Sequence, residues 1–429
     1  KNMSNDTIIN VLGLRCRECG TEVPVHTDQG GVAPTATQHV CDFCFAPMEV
    51  AYDHEAIAAR VSHDAIAAGP ASMWRYEALL PVLSADRSTR VDMGTGLSPL
   101  RRAPNLGRAL GLDDLWLKDD TRNPSGSFKD RVVTIAISAA RALGIDTIAC
   151  ASTGNLANAV AAHAAFAGMP AYVFIPHDLE RGKVVGSAIY GANVVSVKGN
   201  YDDVNRLCAE VADDQGWGFA NVNLRPFYAE GSKSIGFEIA EQLGWTLPDH
   251  VVIPVASGSM LTKVDKAFGE LRAYGLIASD ASARISGAQA TGCSPIAQAY
   301  EQGTFDVQPV KPDTIARSLA IGNPADGYYA LKVVDQTDGA MSHASDDEIV
   351  EGMKLLASTE GLFAETAGGV TVAGLEKLVE AGDIARDERV VAIISGNGYK
   401  TIEAVQAHVG PRFEVTPALE DFTTQLASG

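Results

Sequence analysis

An α/β fold built on largely parallel sheets is what this sequence predicts, and three observations predict it. Short β-branched or apolar runs alternate with helical patterns that end at glycine. Glycine-rich turns bearing hydroxyl or amide side chains follow several of those runs, where such folds bind their ligands. A cysteine-bearing stretch of different composition stands in front of the rest, as a small separate module.

Taken in order, residues 14–50 read LRCRECGTEVPVHTDQGGVAPTATQHVCDFCFAPMEV, with turn formers between two CxxC pairs. Each CxxC hairpin presents two sulfurs on one side of a tight turn. Cys16, Cys19, Cys41 and Cys44 can therefore converge tetrahedrally on a structural zinc with no open position. The module is placed at 10–50 and is zinc-ribbon-like. Four reduced thiols in a loose extension is the alternative, disfavoured because so short a segment has few large apolar residues to fold on. Residues 51–95 connect to the alternating region. There the strand runs are TIACA (147–151), AYVFI (171–175), NVVSV (193–197), HVVIPV (250–255), ARISGAQ (283–289) and RVVAIIS (389–395). Helical patterns fall at 156–168, 181–191 and 232–244.

Composition narrows the function. With 429 residues and 45.1 kDa the chain can bury two or three cores. A net charge of −19 argues against a nucleic-acid partner, which needs clustered Lys and Arg. The longest apolar runs fall short of the roughly 20 residues a membrane span needs. The opening run KNMSNDTIINVLG lacks the features of a secretory leader, so cytoplasmic residence is expected, with no membrane partner. Seven unevenly spaced cysteines are no disulfide framework.

Three loops are candidates for ligand binding: ASTGN (151–155), ASGSM (256–260) and SGNGYK (395–400). In the second, glycine admits close backbone approach and a helix beginning near Met260 offers free N–H groups, which together make a phosphate cradle. Neither a P-loop nor a GxGxxG fingerprint is present, which lowers nucleotide hydrolysis and hydride transfer. A fourth stretch, NPSGSFKDRVV (123–133), sets Lys129 behind small residues and before a helix. Such a lysine is ordinarily solvated, as is the arginine, on an amphipathic helix that opens with an N-cap serine and a first-turn aspartate. A nucleophilic lysine instead needs a cleft and small neighbours that let a planar cofactor reach its amine.

The run DTRNPSGSFKDR resembles the pyridoxal-phosphate lysine signature of the serine/threonine dehydratase group, with Val132 where that signature usually has glycine or alanine. Over nearly all its length the chain resembles the threonine synthases, a branch of the fold type II, tryptophan synthase β-like enzymes. The resemblance is carried by the CxxC module, TGLSPL, NPSGSFKDR, STGN, GKVVGSAIYGANVVSVKGNYDD, EGSKSIGFEIAEQLG, IARSLAIGNPADG, EGLFAETAGG and SGNGYK. It implies two doubly wound α/β domains with pyridoxal 5'-phosphate between them. Residues 51–144 would form an extension and the part of the large domain carrying the lysine, 145–235 a smaller mobile domain, and 236–429 the rest of the large one. A homodimer is implied as well.

By the same resemblance, Lys129 would bind the cofactor aldehyde as a Schiff base, Phe128 would lie near the ring and Asn155 would bond the phenolic oxygen. Ser257, Gly258, Ser259, Met260 and Leu261 would hold the phosphate, and Ser395 would face the pyridine nitrogen. Ser152, Thr153 and Gly154 would meet the substrate carboxylate, and Lys183, Arg225, Arg317 and Ser318 are candidates for the substrate's phosphate. The implied reaction converts O-phospho-L-homoserine and water to threonine and phosphate. The alternatives are a cysteate synthase-like replacement on O-phosphoserine, a serine/threonine dehydratase, and a non-catalytic scaffold with a binding ribbon. Leu156 and Val222 depart from some relatives.

Overall fold

In the computed structural model, which describes residues 9–152, 154–177, 181–198 and 201–428, the apolar runs become strands of two separate sheets, all of them inner strands except NVVSV, which lies at an edge. A third, small sheet precedes them. It comprises β1 (Val11–Cys16), β2 (Glu22–Pro24) and β3 (Met48–Tyr52), antiparallel in the order β2-β1-β3. Its alternating inward side chains, Val11, Leu14, Met48, Val50 and Tyr52, are buried.

The next strands are β4 (Leu100–Arg102) and β5 (Asp114–Asp119), then β6 (Ile148–Ala151), β7 (Ala171–Pro176), β8 (Asn193–Val197) and β9 (Gly218–Phe219). The last four are β10 (His250–Pro254), β11 (Arg284–Ala290), β12 (Met341–Ala344) and β13 (Arg389–Ile394). One sheet runs β12-β11-β10-β13-β5-β4, parallel except for the antiparallel edge strand β4. The other runs β8-β7-β6-β9 and is parallel throughout. Strands buried on both faces read as continuous apolar runs, and Val390, Val391, Ala392, Ile393 and Ile394 are all fully buried. Each such Val or Ile contributes about 1.5–3 kcal/mol of transfer free energy.

The six runs expected as strands are strands, within a residue or two. Strands β4, β5, β9 and β12 were not anticipated. DLWLKD of β5 hides its character behind Lys118, whose ammonium is fully buried between Glu238 Oε2 (2.6 Å), Ser98 O (2.7 Å) and Gln242 Oε1 (2.8 Å). A charge satisfied from distant segments cannot be read from local pattern.

The helix that starts at Lys129 runs to Ala142 and buries all but the flanks of its surface. Val132 faces the core, 1 % exposed. The closeness that a small residue there would allow is supplied from the other side by Gly231, where a Cβ would lie 2.3 Å from Arg131 O and 2.7 Å from Val132 Cα. Among the described residues no helix is long and apolar enough to cross a membrane.

Candidate active site

All the candidate loops sit at carboxyl ends of parallel strands. The loop after β5 leads to Lys129, that after β13 carries Ser395, that after β10 carries Ser257–Leu261, and that after β6 carries Ser152–Asn155. Because β5 and β13 are neighbours, their loops run side by side: Ser127 pairs with Gly396, Phe128 N donates to Ser395 O at 2.8 Å, and Asn397 N donates to Gly126 O at 2.9 Å. This zipper fixes the backbone on which Lys129 stands.

The lysine stretch also folds on itself. Asp130 Oδ2 accepts from Ser125 N at 2.9 Å, pinning the NPSGS turn to the first turn of the helix. Arg131 is fully buried, its guanidinium held by Asp120 Oδ2 (2.7 Å), Glu238 (2.5 and 2.8 Å), Ser234 and Ser98. Of the three consecutive charged residues, only Lys129 keeps partial access to solvent. Its Nζ donates to Tyr228 OH at 3.0 Å and lies 4.6 Å from the Phe128 ring centroid. The solvated reading therefore fails for Arg131, while Asp130 is the first-turn aspartate expected, buried rather than exposed.

Opposite the lysine stands Glu365, 2 % exposed, the residue that precedes the helix Thr366–Ala381. Asn155 Nδ2 donates to its Oε2 at 2.7 Å and Ser395 Oγ to its Oε1 at 3.2 Å. Burial pushes the Glu365 carboxyl above its ordinary range, against the pull of Asn155, Lys400, Ser395 and Lys129. Gly396 makes room for it, since a Cβ there would sit 2.3 Å from Glu365 Oε1. Lys400, at the end of SGNGYK, is drawn below its ordinary value by burial, while Glu365 and Asp130 oppose that shift. With the Asn158 amide oriented to satisfy its neighbours, its oxygen accepts from Lys400 Nζ at 3.0 Å.

The cradle loop turns through Gly258 at φ 96°, a conformation that favours glycine, and a Cβ there would meet Asp326 O at 2.8 Å and Ala330 Cβ at 2.9 Å. The helix Ser259–Ala273 follows, and its first intrahelical bond from Thr262 N to Gly258 O leaves the N–H groups of Met260 and Leu261 at its open end, while Ser259 N donates to Ser257 Oγ at 3.4 Å. Leu261's side chain is in the core, so its backbone is what it offers there.

Among the substrate candidates, Ser152 and Gly154 border Asn155, and Gly154 N lies 3.5 Å from Ser152 Oγ. Thr153 lies outside the described residues, and Lys183 is described only as part of the helix Arg181–Ala188. Arg225 opens the helix Arg225–Glu230, one turn before Tyr228 on the same face. Arg317 and Ser318 are exposed on a short turn and, among the described residues, are not bonded to the Lys129 group. Leu156 and Val222 both pack with apolar neighbours. Sequence reasoning missed Glu365, Tyr228, Lys400 and Asp326. The one local signal was a glutamate before the small-residue run TAGG, with no cation beside it.

In the N-terminal module the four cysteine sulfurs lie within 4.8 Å of one another, with Cys16 to Cys44 at 3.4 Å and Cys19 to Cys41 at 3.6 Å. A tetrahedral zinc with Zn–S bonds of about 2.3 Å separates sulfurs by about 3.8 Å, so the cluster fits one.

Comparison with known proteins bears on this geometry. Residues 91–396 match the family model described as pyridoxal-phosphate dependent enzyme. A threonine synthase of Methanocaldococcus jannaschii is 38% identical over 392 residues, covering 91% of this chain and 93% of the relative. One of Methanosarcina acetivorans is 35% identical over 91% of this chain and 93% of its own length. Among solved structures, threonine deaminase isoform 2 of Solanum lycopersicum superposes with TM-score 0.61 at 24% identity, over 72% of this chain and 83% of that one. Maize serine racemase gives 0.60 at 21%, over 72% and 91%. At these identities the structures speak for the fold.

Proposed function

This chain belongs to the pyridoxal-phosphate-dependent enzyme family, and we propose that within it the chain is a threonine synthase, converting O-phospho-L-homoserine and water to L-threonine and phosphate. It is a lyase whose substrate is a small phosphorylated amino acid. The single observation that carries the reading is its likeness to threonine synthases over nine-tenths of both chains.

The residues present fit pyridoxal phosphate. Among the described residues Ser125 and Ser127 hold buried hydroxyls without a protein partner, the Gly258 turn is seated against Asp326 O and Ala330 Cβ where no Cβ fits, and helix N–H groups stand at the open end of the helix that follows. When bound, the cofactor supplies the electron sink for carbanion chemistry next to the substrate amine. Lys129 is the covalent anchor; its Nζ, once free, takes the proton from Cα and then moves one from Cβ. Tyr228 OH, at 3.0 Å, holds that amine in place between transfers. Phe128 packs beside it.

Glu365 holds Asn155 and Ser395 by one carboxylate, so the partner of the phenolic oxygen and the partner of the pyridine nitrogen are set in register. Ser257, Gly258, Ser259, Met260 and Leu261 take the cofactor phosphate, Ser152, Thr153 and Gly154 the substrate carboxylate, and Arg225 leads the candidates for the substrate phosphate, with Lys183, Arg317 and Ser318 in support. The four-stranded sheet belongs to a smaller domain, 145–235, that closes over the cleft. Cytoplasmic residence and a homodimer complete the proposal, and size-exclusion chromatography tests the latter.

Phosphate and threonine release from O-phospho-L-homoserine by the holoenzyme tests the activity. Turnover confined to O-phosphoserine with sulfite, or deamination of serine and threonine alone, replaces it with the corresponding alternative.

A further inference from the structure

Arg17 and Glu18 occupy the two positions between Cys16 and Cys19, and both reach the start of the helix Gly327–Gln336. Glu18 Oε1 accepts from Tyr329 OH at 2.7 Å, and the Arg17 guanidinium lies 3.8 Å over the Tyr329 ring. Arg17 Nη1 is 3.3 Å from Asp326 Oδ1, and its Nε is 3.5 Å from Glu49 Oε1. The other oxygen of Asp326 accepts from Arg225 Nη2 at 2.9 Å. A single carboxylate, 8% exposed in its side chain, is thus shared by an arginine of the cysteine hairpin and an arginine at the cleft.

Asp326 also stands directly behind the cradle: its N–H donates to Ser257 O at 3.0 Å, and its carbonyl is what a Cβ on Gly258 would strike. Arg225, 29% exposed in its side chain, retains freedom to turn, and it shares a helix face with Tyr228, which holds Lys129. An arginine that is to receive an anion must be aimed without being locked. If Arg225 leaves Asp326, a nearly buried carboxylate loses a partner, which is costly unless another cation remains. Arg17 is such a cation, fixed by ring stacking, by Glu49 and by the hairpin.

We propose that Asp326 is a shared counter-ion latch: it holds Arg225 in waiting, and Arg17 keeps the carboxylate neutralised when Arg225 turns to the phosphate of the substrate. The latch rests on the reading of a phosphorylated substrate. Arg17 and Asp326 are positioning residues that act on affinity through Arg225, which explains mechanically why a cysteine hairpin is seated beside a cofactor loop.

Inorganic phosphate, the expected product, is the probe, titrated calorimetrically into holoenzyme. Arg17→Met keeps the apolar length over Tyr329 and removes the charge. It is expected to weaken phosphate binding about tenfold, the scale of one lost charge pair, and to raise KM for O-phospho-L-homoserine with kcat and the cofactor absorbance unchanged. Adding Asp326→Asn to Arg17→Met is expected to restore phosphate affinity, because the competitor for Arg225 is then neutral. Metal content of each variant verifies that the hairpin is intact. Asp326→Asn alone is expected to bind phosphate at least as tightly as wild type, which keeps the test decisive if Arg17→Met fails to fold. Wild-type binding with an unaffected Arg17→Met, a double variant that stays weak, or an Asp326→Asn that binds worse overturns the latch alone. A wild-type holoenzyme that binds no phosphate overturns both the latch and the phosphorylated-substrate reading.

Discussion

Replacing Glu365 with glutamine preserves size and shape but exchanges an acceptor-only carboxylate for one oxygen and one NH2 group. Two donors now aim at that carboxylate, Asn155 Nδ2 at 2.7 Å and Ser395 Oγ at 3.2 Å. Glutamine can accept from one of them and must present a donor to the other. A hydrogen bond to a charged group contributes about 1.5–3 kcal/mol, and tenfold in affinity corresponds to about 1.4 kcal/mol. Burial already disfavours the ionised Glu365, which places the effect toward the lower end. Equilibrium dialysis of pyridoxal phosphate against the apoenzyme should therefore show Glu365→Gln binding about tenfold more weakly, with a shifted absorption band for the lysine-bound cofactor. The direction of the Glu365 shift adds a pH signature: wild-type affinity falls as acidification protonates the raised carboxyl, and the glutamine variant lacks that component. Equal affinity and an unchanged band in Glu365→Gln would refute the claim that this carboxylate sets Asn155 and Ser395.

Gly258→Ala forces an alanine to φ 96° and against Asp326 O at 2.8 Å; the conformation alone costs about 1–2 kcal/mol, so a loop that shifts to relieve it should bind the cofactor about five- to thirtyfold more weakly, and dialysis that shows no loss contradicts the cradle. Lys129→Ala is expected to melt close to wild type, since the amine is only half-buried, while losing the visible cofactor band and all turnover. Stability should decline on acidification: although burial opposes it, Arg131 and Lys118 hold Glu238 down to about 2, and Lys263, Lys266 and Arg17 do the same for Glu49. A carboxyl depressed from 4.5 stabilises the fold above that pH and loses the contribution as pH falls toward 2, roughly 3 kcal/mol for Glu238. Urea unfolding followed between pH 5 and about 2 checks this, and a flat profile would count against it. Metal analysis should find one zinc per chain that Cys16→Ser abolishes, and a metal-free wild type would remove the zinc from the account.

Much of this architecture was legible because inner parallel strands are locally apolar and the loops after them keep their glycines and hydroxyls. The loops of Lys129, Asn155 and Ser395 could be picked out locally, while the residues themselves were named by resemblance; the structure joins Asn155 and Ser395 through Glu365 and pairs Lys129 with Tyr228. Those two connectors were not legible. Tyr228 sits in a six-residue helix with no pattern of its own, and Glu365 reads locally as a residue preceding a helix. The buried charges mislead for a related reason: Arg131 is neutralised by Glu238, 107 positions away, so its burial is a property of tertiary contact alone. Asp326 likewise gains meaning only from Arg17 and Arg225, which lie 309 and 101 positions from it. Arg317, a cation that resemblance recommends, lies exposed on a turn, and its role depends on a ligand that local pattern cannot show.

The claim on which the account turns is that Lys129 holds the cofactor and works as the base. Borohydride reduction of the holoenzyme, followed by peptide mass mapping, tests it directly. A pyridoxyl group is expected on Lys129 alone, in the peptide that contains NPSGSFKDR; modification at Lys400 or any other lysine with Lys129 unlabelled would contradict that role.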